Sequence, residues 1–408
     1  MQGSGNRKLY ALPNQSAEEL EELKQKIWIH RMKILILIFV ILGIVIGIIG
    51  FLYLYFERKQ YHDYEVTEQI KRNDAQAAEY EDFQGNILQY TKDGAVYSDL
   101  SGNVIWNQTY EMQSPRISTC QNYLVIYEQG GSKIYIMDTT DSRGTINTTI
   151  PIQRVSVSAE GTVAVLMENA GTGYIHVYEK SGKLLASGEL HIENSGYPLD
   201  IAISNDAGKL AVTMLDINEG NVKSAVVFYN YGAVGQNEID NIVGSYSYSD
   251  MVIPSIRFVS NNRLLAFGDK EIILFEGTQK PEVVQEISPQ GNIRSIYYND
   301  NYFGIAYDHL SSAKKYHTDV YNMKGKCVLQ LDFELDYTEI SFLQNNLICI
   351  RNDRQCLFYT LRGSKRFEYT FDRSIYHIIS GKGQMEYLLI LNGETDRIKL
   401  KDSYTHER

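Results

Sequence analysis

The sequence predicts an all-β fold, a β-propeller of eight blades in preference to seven, behind one N-terminal transmembrane helix. Three observations predict it. Residues 34–56, ILILIFVILGIVIGIIGFLYLYF, are an uncharged run of 23 residues, about the length an α-helix needs to cross a hydrocarbon core of roughly 30 Å. From Gly85 onward the chain reads as short runs rich in Val, Ile, Tyr and Phe, punctuated by Gly, Asn, Asp and Ser, the pattern of strands and turns. One turn then recurs, a β-like run meeting a glycine within a few positions, at Gly102, Gly144, Gly182, Gly232, Gly277, Gly325 and Gly363. The mean interval is 43.5 residues, which fits a propeller blade of four short strands, about 40 to 50 residues.

Taken in order, residues 1–33 form a cytoplasmic tail, partly helical. Ser16 and Glu19 have capping-box spacing ahead of Leu20, Leu23 and Ile27, so a helix starts there and runs into the span. The tail is too short to house an enzyme. Residues 34–56 are the transmembrane helix. A cleaved signal peptide has an apolar core of about 7 to 15 residues and a small-residue cleavage site; this run is longer and leaves through aromatic residues, so it reads as an uncleaved signal anchor. Trp28, Tyr53 and Tyr55 suit the two interfaces. Lys24, Lys26, Arg31 and Lys33 on one side balance Arg58, Lys59, Lys71 and Arg72 on the other. Arg7 and Lys8 tip the charge toward a cytoplasmic N-terminus, with the rest of the chain extracytoplasmic at the cell membrane. The lipid bilayer is thus one expected partner, through residues 34–56. Gly43 and Gly47 make one GxxxG, a spacing that permits self-association of the helix and equally fits two helix glycines without a partner.

Residues 57–84 are polar and contain no Gly or Pro, and NDAQAAEYED favours helix, so the stretch reads as a polar stalk. Residues 85–401 form the propeller. Candidate inner strands are RVSVSAEG, LDIAISNDAG, SIRFVSNN and SIYYND, each followed by an apolar run. The first unit lacks a clear inner strand, and the last third-strand candidate, DRIKLK, lacks the glycine turn. The tally is 30 strands, between the 28 of seven blades and the 32 of eight. In a seven-blade ring residues 375–380 would complete the first blade. Residues 402–408 are a short tail.

Beyond residue 56 the chain holds 33 Lys and Arg against 46 Asp and Glu. That balance repels a phosphate backbone, so nucleic acid is not an expected partner. Tyr is abundant, 31 against 14 Phe and 2 Trp, and a ring with a polar tip suits both half-buried strands and binding faces. Four cysteines, Cys120, Cys327, Cys349 and Cys356, are too few for a disulfide-built fold. A two-residue turn at Asn352 and Asp353 would set Cys349 opposite Cys356, within reach of a disulfide; two buried free thiols are the favoured reading.

Chemistry is sparse. The sequence has no Gly-x-Ser-x-Gly elbow, HExxH, phosphate-binding loop or Cys-x-x-Cys. His176, inside YIHVY, reads as a satisfied half-buried histidine. Asp216, Asn218 and Gly220 have the first half of a calcium-loop spacing, but Val227 stands where the closing Glu belongs, so they read as a turn. No catalytic, cofactor-binding or metal-ligating residue is assigned, and no cofactor is expected.

The stretch Asp99-Leu-Ser101-Gly102-Asn103-Val-Ile-Trp106 resembles the Asp-x-x-Thr-Gly-Lys-x-x-Trp tail of the pyrroloquinoline quinone (PQQ) repeat of quinoprotein dehydrogenases and outer-membrane assembly lipoproteins. Glu179-Lys-Ser181-Gly182-Lys183 and Asn322-Met-Lys324-Gly325-Lys326 are weaker echoes. The resemblance implies that Trp106 docks between neighbouring blades. With its short tail, its anchor, GNVIW and the run Gly196-Tyr197-Pro198-Leu199-Asp200, the whole chain resembles domain-of-unknown-function family 5711 of Gram-positive membrane proteins. That implies a membrane-tethered PQQ-like propeller and brings no known activity. A quinoprotein also needs a calcium site, polar groups around the quinone and an aromatic floor; Trp106 is the only Trp of the propeller. The expected function is a non-enzymatic binding or scaffold module whose partner is an envelope protein or a cell-wall ligand. The alternatives are a transmembrane sensor signalling to the tail and a quinoprotein-like oxidoreductase.

Overall fold

The computed structural model describes residues 17–72, 78–191, 196–218, 220–308, 314–383 and 385–402. It divides into two units, Met1–Lys59 and Gln60–Arg408. In the first, one continuous helix, α1 (Ala17–Arg58), joins the helical tail to the apolar run. Its segment Lys24–Leu52 is long and apolar enough to cross a membrane and buries nothing against protein. A helix apolar on every side is matched by lipid rather than by water. Gly43 and Gly47 lie one turn apart on it with open space at both. Ser16, the expected cap, lies outside the described residues.

The second unit is a ring of eight four-stranded antiparallel sheets. The first blade is β2 (Glu79–Phe83), β3 (Asn86–Tyr90), β4 (Gly94–Ser98) and β5 (Val104–Thr109). The second is β6 (Pro115–Cys120), β7 (Tyr123–Glu128), β8 (Lys133–Asp138) and β9 (Ser142–Asn147). The third is β10 (Ile152–Val157), β11 (Val163–Asn169), β12 (Thr172–Tyr178) and β13 (Leu184–His191). The fourth is β14 (Tyr197–Ile203), β15 (Lys209–Asn218), β16 (Asn221–Asn230) and β17 (Ile242–Ser249). The fifth is β18 (Ser255–Ser260), β19 (Arg263–Phe267), β20 (Ile272–Glu276) and β21 (Glu282–Ile287). The sixth is β22 (Ile293–Tyr298), β23 (Tyr302–Asp308), β24 (Tyr316–Asn322) and β25 (Cys327–Phe333). The seventh is β26 (Glu339–Phe342), β27 (Ile348–Arg351), β28 (Gln355–Tyr359) and β29 (Lys365–Thr370). In the eighth, β30 (Ile375–Ser380), β31 (Glu386–Leu391) and β32 (Glu394–Lys401) are joined by β1 (Asp63–Lys71) from the other end of the chain.

Position in the blade sets the residue pattern. Second strands such as β7 and β11 are buried on both faces between neighbouring blades, so they read as unbroken apolar runs. Outer strands such as β5 and β21 show one face to water and alternate. The turn before the outer strand is set by a side chain: Asp99 Oδ1 accepts the amides of Ser101 and Asn103 at 2.8 and 2.9 Å. Gly102 follows at φ +83°, a conformation that a Cβ would strain.

Two readings need correction. Residues 57–84 are not a stalk, because β1 pairs with β32 from Asp63 opposite Lys401 to Lys71 opposite Glu394, and β2 is the inner strand of the first blade. Both are polar for positional reasons: β1 is an outermost strand with Arg397–Glu68 and Lys401–Glu65 ion pairs across it, and β2 turns Glu81 and Asp82 to the ring's centre. These are the two strands missing from the tally of 30, and residues 375–380 belong to the eighth blade. Residues 73–77 of the helix-favouring stretch lie outside the described residues.

The second correction concerns the cysteines. Asn352 Oδ1 accepts the amides of Arg354 and Gln355, so the turn centres one residue later than expected. Cys349 then faces Phe358 and Cys356 faces Arg351. Both thiols are free and buried, as favoured, in the core between the last two blades.

Candidate functional site

The inner strands β2, β6, β10, β14, β18, β22, β26 and β30 surround a central channel. Inner strands touch between β6 and β10, β10 and β14, β14 and β18, and β22 and β26, and β2 meets β30 where the first and eighth blades adjoin. One part of the channel is a cavity of about 770 Å³ lined by six inner strands, and another of about 800 Å³ continues past Glu81 and Asp82 to β26 and β30.

Charged groups from different blades meet here. Asp200 Oδ2 accepts the amide of Ile256 from the next blade at 2.9 Å, while Arg154 Nε stands 3.9 Å from Oδ1. Burial raises the Asp200 carboxyl above its ordinary value, and the amides of Ile256 and Ile201 and the Arg154 charge oppose that shift. Glu81 and Asp82 are raised for the same reason, surrounded by protein although water reaches them along the channel. Glu339 goes the other way. Burial pushes its carboxyl up, but His377, at 3.7 Å, and Arg351 together hold it down at about 2. Arg351 also donates to the carbonyls of Ile375 and Tyr376, so it staples the seventh blade to the eighth. Arg257 lies over the Tyr298 ring at 4.4 Å and donates to its hydroxyl.

The channel therefore offers carboxylates, guanidinium groups and amides within one rigid ring, a surface suited to hydrogen-bonded recognition. Among the described residues no set of His, Cys, Asp and Glu could hold a metal ion.

The residues singled out in the sequence lie elsewhere. Trp106 is buried between the first and second blades and donates to the Asp138 carbonyl at 2.9 Å. His176 is half-buried, its Nδ1 3.0 Å from the Tyr178 hydroxyl, and burial lowers its pKa. Asp216, Asn218 and Gly220 belong to the β15–β16 hairpin. Of the run at 196–200, Asp200 reaches the channel. The other channel groups were missed, since a polar residue alternating in a strand carries no mark separating a channel face from a water face.

A search of curated protein sequences found no match. Among solved structures, BamB from Moraxella catarrhalis is similar at 12% identity and a TM-score of 0.46, over 83% of this chain and 100% of that one. The Pan2 WD40 domain of Neurospora crassa is similar at 9% identity and 0.41, over 72% and 90%. A eukaryotic initiation factor is similar at 14% identity and 0.49, over 81% and 83%. These are likenesses of architecture alone. A family model described as a family of unknown function, DUF5711, matches residues 57–400, from before the strand that closes the ring almost to the end of its partner. The chain belongs to that family, DUF5711.

Proposed function

We propose that the chain is a non-enzymatic binding or scaffold module of a Gram-positive cell envelope. It is anchored by residues 34–56, with its N-terminus in the cytoplasm and its propeller outside. The observation that carries this reading is the channel: eight inner strands hold Asp200, Arg154, Arg257 and Glu339 at fixed positions in a closed ring. Such preorganised polar groups suit recognition of a partner's hydrogen-bonding surface. The unpacked apolar surface of α1 supports membrane anchoring.

Crosslinking from the propeller in intact cells tests it. Recovery of a defined envelope protein or cell-wall fragment is expected, and no reproducible product would count against it. Protease added to intact cells should degrade residues 60–401; their resistance would overturn the topology.

A sensor is the second reading, favoured by one observation. Helix α1 runs unbroken from Ala17 to Arg58, and after four intervening residues the chain enters the strand that closes the ring. Signalling predicts loss of output when residues 1–33 are replaced, whereas a scaffold keeps its crosslinks. For the oxidoreductase reading, added PQQ and calcium should yield dye reduction; the binding module predicts none.

A further inference from the structure

Between the third and fourth blades the ring leaves a slot at a place that the first, sixth and seventh blades fill with a large buried side chain. The fourth residue after the turn glycine is Trp106 in the first blade, Leu329 in the sixth and Phe367 in the seventh, all buried. In the third blade it is Ala186. The equivalence is one of register: Trp106 pairs with Tyr97 and Ala186 with Val177, the same position of the third strand. The glycines match as well, Gly102 at φ +83° and Gly182 at +88°.

The neighbouring positions shrink too. Trp106 stacks on Tyr97 with centroids 5.3 Å apart, and Tyr110 and Tyr135 pack 5.8 Å apart beside it. Leu190 takes the place of Tyr110, eight residues after the turn glycine. Val227 takes that of Tyr135, three residues before the end of the third strand of the facing blade. Opposite, Ser245 and Ser247 supply only small side chains on β17. The result is a cavity of about 860 Å³ walled by Ala186, Leu190, Met214, Val227, Tyr229 and Tyr231.

We propose that this slot binds a planar aromatic group with a hydrogen-bonding edge, of indole or phenol type. Ala186, Leu190, Met214 and Val227 give the slot one apolar side while serines and charged groups make its remaining walls polar, and the volume lies in the range of about 300 to 1,000 Å³ typical of ligand sites. Polar contact would come from the hydroxyls of Tyr229 and Tyr231, neither hydrogen-bonded to a described residue. Burial pushes both phenols up to about 12, so they are neutral donors at physiological pH. At the rim Asp216 faces Lys223 across the hairpin, which leaves Glu189 and Asp240 to disfavour an anion. The first blade already uses an indole against the same wall, there supplied by its own chain. The apolar side of the slot takes up the face of a matching ring because a void forfeits contacts that the ring restores, while the polar walls suit a hydrogen-bonding edge.

This inference rests on the binding-module reading but not on its topology. The test is fluorine NMR titration of 5-fluoroindole against the full chain in lipid nanodiscs, with empty discs as the blank. Saturable binding at one site is expected, at least tenfold weaker in Ala186→Trp, whose own indole fills the slot and raises the thermal midpoint. Tyr229→Phe with Tyr231→Phe should weaken binding several-fold at an unchanged midpoint. No saturable binding by the natural chain, or equal binding by Ala186→Trp, overturns the proposal. If Ala186→Trp does not fold, equal binding by the double Phe variant overturns it instead, as does displacement of the probe by an equimolar decyl chain. Envelope crosslinks that persist while fluoroindole fails to bind would sink this inference and leave the module standing.

Discussion

The indole nitrogen of Trp106 donates to the carbonyl of Asp138 across 2.9 Å, from the outer strand of the first blade to the third strand of the second. The ring is 5% exposed and stacks on Tyr97, so it joins two blades by packing and by a buried hydrogen bond. Trp106→Ala should cost about 3 to 5 kcal/mol, the range for deleting a buried large aromatic side chain. Trp106→Phe keeps most of the packing but orphans the carbonyl, at about 1 to 3 kcal/mol. Urea unfolding followed by circular dichroism measures both, and a Phe variant as costly as the Ala variant would show that the hydrogen bond dominates.

Ring closure depends on β1. The pairs from Asp63 with Lys401 to Lys71 with Glu394 tie one end of the chain to the other. A chain starting at residue 60 should unfold cooperatively. One starting at residue 78 exposes the edge of β32, an unpaired strand inviting intermolecular pairing, and should show a lower midpoint and higher oligomers by light scattering. Matching midpoints for the two would mean that closure contributes little.

Sequence legibility followed burial. The glycine turns were readable because Gly102 must sit at positive φ and Asp99 must accept two amides, demands that are local. The doubly buried second strands were readable as apolar runs. Strands β1 and β2 were not, since one faces water and the other the channel, and either setting lets Glu and Gln stand where an apolar residue would announce a strand. The channel was hidden for a related reason: Glu81, Asp200, Glu339 and His377 come from four blades, and only the closed ring brings their strands around one axis. The slot beside Ala186 was half legible. Absence of the repeat's Trp was visible, yet Phe367 lacks that Trp too and fills its place; whether a void follows depends on the facing blade.

The cysteine hairpin yields a direct test of register. Because Cys349 faces Phe358 and Cys356 faces Arg351, no cross-strand disulfide forms between them. Burial pushes both thiols far above their ordinary pKa, which suppresses the reactive thiolate. Four thiols should react with Ellman's reagent after denaturation without reductant, while Cys349 and Cys356 stay silent in the folded chain. Fewer than four in the denatured chain would contradict the register.

Glu81 should destabilise the ring at neutral pH. Its pKa is raised by burial, with the nearby Glu339 charge adding to this and His377 opposing it. A carboxyl whose folded pKa exceeds its unfolded value favours folding when protonated and loses that advantage as pH rises through the folded value. Glu81→Gln should therefore raise the thermal midpoint at pH 7, and the gain should fade as pH falls below the ordinary carboxylate range. A lower midpoint at pH 7 would show that the charge has a favourable partner.

Glu339 carries the opposite sign, and the two carboxylates share the channel. Its burial is outweighed by His377 and by the Arg351 guanidinium, which hold it at about 2 against an ordinary 4.5. A carboxyl depressed in the folded state stabilises fully above its unfolded value, and that contribution is lost as pH falls from about 4.5 toward about 2. Glu339→Gln removes the carboxylate while Arg351 stays buried between the carbonyls of Ile375 and Tyr376. Removing one partner of a buried pair strands the other charge, so the variant should lose roughly 3 to 5 kcal/mol at pH 7. Urea midpoints at pH 7, 4.5 and 3 should draw together for natural chain and variant as the unfolded carboxylate takes up its proton while the folded one keeps its charge. A gap that stayed constant over that range would mean that the side chain acts through packing rather than charge, and that the carbonyls alone satisfy Arg351 between the seventh and eighth blades.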